Sequence, residues 1–183
     1  MYADNSLTPR EAIRLCELGT LAQETASSKD SLHYDDLVYA VRYFVSRITG
    51  PSLDLMGDSI ELLRYEGLVE SDDEESVNPA LRLTEAGKET LQTLLKANLR
   101  AGNSELNELI IALKFRFLHF LSPEDQRTQA DQFIDICDTE LARLDDLLAH
   151  HEAEGGNLTD WLKHDIQRLE ARLDWLTDFR GKL

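Results

Sequence analysis

Hydrophobic side chains recur at steps of three and four positions along most of this chain, a spacing typical of amphipathic helices. The periodicity predicts seven helices, over about residues 8–26, 33–48, 52 or 54 to 67, 84–99, 104–121, 122–154 and 158–180. Polar residues with short side chains stand where N-caps belong, at Thr8, Thr84, Ser104 and Ser122. Glu11 follows Thr8 by three positions, so the two predict a capping box.

The helical spacing is interrupted between residues 67 and 84. Gly67 predicts a helix stop, and Leu68-Val69 a short strand behind it. Leu81 and Leu83 then alternate with polar neighbours, as in a returning strand. Because the two preceding helices join at Thr49-Gly-Pro51, the region predicts a helix-turn-helix followed by a hairpin wing.

Residues 101–104 mark the best internal boundary. We expect a mainly α fold with a winged helix-turn-helix domain over 1–100 and a helical dimerisation domain over 101–183. The last helix carries apolar residues at steps of four, four, three, four and three, which resembles a coiled-coil seam. The residues expected to dimerise are Leu158, Leu162, Ile166, Leu169, Leu173, Trp175 and Leu176.

Composition changes the expected partners more than it changes the fold. The 183 residues are 42% hydrophobic, enough for a packed core, but the net charge is −16. Residues 1–100 and 101–183 each carry −8. Such a balance disfavours strong DNA binding, which depends on cations at phosphates, although a local arginine cluster remains compatible with it. We find no apolar run that would cross a bilayer and no signal-peptide pattern at the start, so a cytoplasmic protein is expected.

The candidate DNA contacts are the cations and hydroxyls of the helix-turn-helix and wing. Arginine would bind phosphates and serine would donate to them. The alternative pairs each arginine with one of the many neighbouring carboxylates; the two readings are equal for Arg47 and Arg64, and pairing is favoured for the other two. The candidates are Arg42, Arg47, Ser52, Ser59, Arg64 and Arg82.

Other side chains give weaker signals. Cys16 and Cys137 lie on apolar stripes, so buried reduced thiols are expected. Adjacent histidines point in different directions on a helix, so no metal site and no cofactor are predicted. No nucleophile–base pair or phosphate loop supports an enzyme. The aromatic residues offered as an effector pocket, or more simply as core or dimer contacts, are Phe115, Phe117, Phe120, Trp161 and Trp175.

Two blocks and the tail resemble the PadR-like transcriptional regulators, within them the AphA-like type. The blocks are Ile60-Glu-Leu-Leu-Arg-Tyr-Glu-Gly-Leu-Val69 and Leu81-Arg-Leu-Thr-Glu-Ala-Gly-Lys88, and the tail is 169–180. The resemblance implies a homodimer, joined by its C-terminal helices, that binds a pseudo-palindromic double-stranded DNA operator.

The chain departs from this pattern where DNA would be contacted. The family's usual tyrosine on the recognition helix is replaced by Gly57, and the wing tip is Asp72-Asp-Glu-Glu75. An alternative function is therefore an acidic winged-helix adaptor or antagonist that binds a basic protein. A third hypothesis is a small-molecule effector bound by the C-terminal helices.

Overall fold

The computed structural model describes residues 1–26, 31–50, 59–73, 76–100, 104–153 and 156–183. Its contacts divide the chain into two compact units. Unit 1 comprises Met1–Asn98 and Asn103–Leu121, and unit 2 comprises Leu99–Gly102 and Ser122–Leu183. The predicted fold class is confirmed: the protein is mainly helical with a small three-stranded antiparallel sheet.

Unit 1 contains five helices and the sheet, and unit 2 contains two long helices. In unit 1 the elements are α1 (Pro9–Ala26), β1 (Leu32–His33), α2 (Tyr34–Thr49), α3 (Ser59–Tyr65), β2 (Val69–Ser71), β3 (Ala80–Leu83), α4 (Glu85–Lys96) and α5 (Glu105–Phe117), followed by a 3-10 turn (Leu118–Phe120). In unit 2 they are α6 (Pro123–His151) and α7 (Asn157–Arg180).

The caps predicted from the sequence form at four helix starts. Thr8 Oγ1 accepts from the backbone N–H of Glu11, and Glu11 Oε2 accepts from the N–H of Thr8, which completes the capping box. The side chains of Thr84, Ser104 and Ser122 each accept a backbone N–H in the first turn of α4, α5 and α6.

The sheet has the order β1-β3-β2, and its first strand was not predicted. The sequence indicated a helix from His33, but Leu32 and His33 pair with Leu81 and Ala80 of β3. A two-residue strand is too short to show alternation, so its signal was missing. The pairing brings the start of α2 to the wing, where the N–H of Tyr34 donates to Pro79 O at 3.0 Å.

Helix α1 is the centre of unit 1. It contacts α2, α3, α4, α5 and two strands, and its residues from Leu15 to Leu21 are all buried. Gly19 permits the closest of these contacts, because a Cβ there would lie 2.4 Å from the ring of Phe117. Helix α5 therefore packs with residues 1–98; the predicted functional boundary near residue 100 stays a prediction.

A buried lysine ties α5 to the end of α4. Lys114 is fully buried, and its Nζ donates at 2.6 Å to the carbonyls of both Leu95 and Ala97. These carbonyls belong to the last turn of α4, where a helix leaves acceptors without intrahelical donors and favours a cation. Burial lowers the pKa of Lys114 to about 7.

Unit 2 is an antiparallel pair of helices. Arg180 forms an ion pair with Asp131 at 2.9 Å, and Arg127 donates to the carbonyl of Leu183. Nearer the turn, Cys137 Sγ donates to Leu169 O at 3.5 Å. Among the residues that the structure describes, no helix is both long and apolar enough to span a membrane.

Candidate nucleic-acid interface

The end of α3 is fixed by a Schellman cap. The N–H of Gly67 donates to Arg64 O at 3.0 Å and that of Leu68 to Leu63 O at 2.9 Å, the paired bonds that define this motif. Gly67 has φ +72°, a conformation that glycine adopts without a Cβ penalty. The chain then enters β2 directly, so α3 and the wing are joined without a flexible loop.

The wing returns to α4 through Thr84 and Gly87. Thr84 Oγ1 donates to Gly67 O at 2.7 Å and also accepts from the N–H of Gly87 at 3.1 Å. A Cβ on Gly87 would lie 2.1 Å from Leu68 O, so glycine is required for this approach. The two glycine motifs seen in the sequence thus form one junction that sets the wing against α3.

The described part of α3 carries balanced charge on its surface. Arg64 pairs with Glu61 at 3.1 Å, and Glu66 pairs with Arg14 of α1 at 2.8 Å. The expected pairing of Arg64 with a carboxylate is therefore present. Ser59 begins α3, while Ser52 and Gly57 lie outside the described residues.

The outer face of α2 presents tyrosine and arginine together. Tyr39 and Tyr43 are 71% and 53% exposed, and their rings stack with centroids 6.1 Å apart. The Arg47 guanidinium lies 5.1 Å from the centroid of the Tyr43 ring, and Arg42 is exposed one position before Tyr43. We call Tyr39, Arg42, Tyr43 and Arg47 the α2 ridge.

The tyrosines of this ridge were not among the sequence-based candidates. Tyr39 and Tyr43 are spaced by four and lie off the apolar stripe of α2, and Arg47 follows at the same spacing. This pattern was available in the sequence as exposed aromatic residues at helical spacing. It lacked weight because aromatic residues at that spacing more often belong to a core.

The wing surface differs from the α2 ridge. Arg82 is exposed on β3 and stands opposite Glu70 of β2 in the strand register. Asp72 helps to close the hairpin, since its carboxylate accepts from the N–H of Ala80 at 3.0 Å. Asp73 is exposed, and the acidic residues 74 and 75 of the predicted tip lie outside the described residues.

The residues expected to dimerise divide into two groups in the structure. Leu162, Ile166, Leu169 and Leu176 are buried within the chain, and Leu173 is half-buried. Their stripe faces α6 in unit 2, as the contact of Cys137 with Leu169 shows. Leu158 and Trp175 are 44% and 53% exposed, so these two present surface to a second copy in the described conformation.

The five aromatic residues suggested as an effector pocket do not gather in one place. Phe117 is fully buried in unit 1, and Phe120 borders a cavity in that unit. Trp161 and Trp175 belong to α7 of unit 2 and are exposed.

The cysteine thiols are buried. Burial raises the pKa of Cys16 to about 12, against a smaller opposing effect of the Arg116 charge, and burial also raises the pKa of Cys137. The neighbouring rings of His150 and His151 lie 5.0 Å apart edge to face. No cluster of three or more metal-binding side chains occurs in the described part of the chain.

One sequence family matches the chain, over residues 2–180, and it is described as "Putative AphA-like transcriptional regulator". This match confirms the AphA-like resemblance noted on the two glycine motifs, while the wider PadR-like grouping stays a prediction. No curated protein matches the chain.

Proposed function

Because the chain belongs to the AphA-like family of transcription regulators, we propose that it acts as a cytoplasmic homodimer that binds double-stranded DNA through unit 1. The observation that carries the proposal is the α2 ridge on a helix-turn-helix. In such motifs the first helix crosses the sugar–phosphate backbone while the second enters the major groove. The ridge lies on that first helix.

The ridge has the chemistry that phosphates require. Arg42 and Arg47 are cations near the C-terminal end of α2, and the Tyr39 and Tyr43 hydroxyls are hydrogen-bond donors. The Tyr43 ring supports the Arg47 guanidinium in a cation–π contact, which reduces the freedom lost when the arginine binds. Ion pairing on α3 also neutralises Glu61 and Glu66, which would otherwise repel phosphates.

We assign the dimer contact to one side of α7. Trp161, Arg168, Arg172, Trp175 and Phe179 recur at steps of three and four, so they share a face beside the one that packs on α6. Trp161 and Trp175 are 54% and 53% exposed, and Trp175 stacks on Phe179. Aromatic residues and arginine are enriched at protein interfaces, which supports this surface as the site where two copies meet.

Fluorescence anisotropy with DNA from upstream of the protein's own gene tests the proposal at several salt concentrations. We expect sequence-preferring binding that weakens as salt rises, because phosphate contacts release counterions. The variant R42A/R47A should reduce the slope of log affinity against log salt by roughly two, about one for each lost phosphate contact.

A matched control removes two exposed cations from unit 2. R143A/K163A changes the net charge equally but leaves the α2 ridge intact, so its salt slope should equal that of the wild type. An equal loss in both variants would show that net charge, and not the ridge, governs binding. Absence of sequence preference at low salt would overturn the DNA-binding proposal.

The second candidate is the acidic adaptor, favoured by the exposed Asp73 and by the neutralised surface of α3. An adaptor of this kind would bind a basic protein through its wing. A pull-down with the wild type and with D73N separates the candidates. Capture of a basic protein that D73N weakens supports the adaptor, whereas recovery of nucleic acid alone supports the regulator.

A further inference from the structure

A cavity of about 470 Å³ lies within unit 1 at the base of the wing. The end of α1, the strands β2 and β3, the first turns of α4 and the 3-10 turn after α5 form its walls. Binding sites for small molecules commonly have volumes of roughly 300–1,000 Å³, so this cavity is large enough to enclose one. It shares no residue with the α2 ridge.

One wall of the cavity is apolar and held in place. Leu83, Leu91 and Phe120 contribute to it. The Phe120 ring lies 4.2 Å from the ring of His119 and 6.3 Å from that of Phe117, measured between centroids, and Phe117 is fixed in the core. An apolar group entering here would meet a surface that already has its shape, which lowers the entropic cost of binding.

The opposite wall is charged, with two cations and one carboxylate. Arg82 and Lys88 border the cavity, and Glu70 faces Arg82 across the strand pair. Lys88 pairs with Glu85 at 2.7 Å, but both side chains are mostly exposed, so the pair is weak and the ammonium is available for exchange. The excess of one positive charge matches a single carboxylate better than a dianion, which Glu70 would repel.

We propose that this cavity binds a small monocarboxylic acid with an apolar body. The carboxylate lies between Arg82 and Lys88, and the body lies against Leu91 and Phe120. Arg82, one of the candidate DNA contacts, is thereby assigned to the ligand. The proposal concerns the protein without DNA, so it stands or fails independently of the DNA-binding function.

Calorimetric titration of the full-length protein with octanoate, in the absence of DNA, provides the test. Octanol serves as the uncharged counterpart with the same chain. We expect saturable binding of octanoate at one molecule per chain, and roughly tenfold weaker binding of octanol, since a hydrogen bond to a charged group contributes about that factor. Inorganic phosphate should bind more weakly than octanoate.

Three variants locate the site. R82Q should weaken octanoate roughly tenfold and leave octanol unchanged, because it removes the charge but not the apolar wall. A22W, which fills the cavity from α1, should abolish binding of both. R143Q removes an exposed arginine from α6 and should bind as the wild type does.

The result that overturns the proposal is defined for each variant. Absence of saturable octanoate binding by the wild type would exclude the site, and an unchanged affinity in R82Q would exclude the carboxylate contact. Folded A22W that retains wild-type affinity would place the ligand elsewhere. If A22W does not fold, R82Q still decides the matter, because Arg82 is an exposed position on β3.

Discussion

At the scale of single residues, two glycines show how the same amino acid serves different physical needs. Gly67 is required for its backbone conformation, since φ is +72° and the space around it is open. Gly87 is required for its missing Cβ, because Leu68 O would lie 2.1 Å from one. Sequence spacing located both residues, and the structure distinguishes the reasons.

This difference predicts unequal effects of the same substitution. G67A should lower the free energy of unfolding by about 1–2 kcal/mol, the cost of a left-handed conformation for a residue with a Cβ. G87A should lower it by about 3 kcal/mol or more, since backbone must move to relieve the contact. Urea denaturation followed by circular dichroism measures both, and equal losses would contradict the assignment.

Lys114 predicts a dependence of stability on pH. Burial lowers its folded-state pKa to about 7, whereas in the unfolded chain it titrates near its ordinary value of 10.5. Between these values the unfolded chain binds more protons, so this residue makes the free energy of unfolding rise with pH. Relative to K114M, the wild type should therefore gain stability between pH 7 and pH 8.5.

The comparison with K114M cancels the opposing effect of the buried thiols, whose raised pKa values lower stability as pH rises. The measurement is the difference in urea midpoint between the two proteins across that pH range. A constant difference would show that Lys114 keeps its ordinary pKa when folded.

At the scale of elements, the junction between β3 and α4 connects local structure to the candidate interface. Thr84 caps α4 and also bonds to Gly67, so one hydroxyl couples the helix start to the end of α3. The four N-caps were readable from sequence because a cap involves residues only three positions apart. The partner Gly67, seventeen positions away, was not.

T84A should therefore cost more than an ordinary hydroxyl deletion in the same helix. We expect a loss of about 1–2 kcal/mol in unfolding free energy, the upper part of the range for N-caps. The matched control is T93A on α4, where the hydroxyl bonds only to the carbonyl of Glu89 four positions back. That deletion should change stability by less than about 0.5 kcal/mol, and a larger effect than T84A would refute the junction.

At the scale of the whole molecule, α7 contains an apolar stripe and an aromatic side face with different roles. The stripe of Leu162, Ile166 and Leu169 is buried within one chain. The tryptophans on the side face remain half exposed, which a monomeric protein rarely maintains over a large patch. The assignment of the dimer contact follows from this separation.

The two faces predict different outcomes in light scattering coupled to size-exclusion chromatography. W161Q/W175Q should convert a dimer to a monomer of unchanged helix content, because it alters an exposed surface alone. L162Q should instead lose helix content, because a polar group would be buried against α6. A wild type that remains a monomer at micromolar concentration would overturn the dimer proposal.

The sequence by itself determined the helix starts, the glycine stops, the wing and the fold class, because each depends on residues within a few positions of one another. It indicated that the stripe of α7 is buried, but periodicity does not specify the partner, and only the tertiary structure places that stripe on α6. The same holds for Lys114 at the end of α4, for β1 on β3 and for the cavity bordered by Phe120. These features join residues far apart in the chain, and their energies arise from packing and burial that no local pattern encodes.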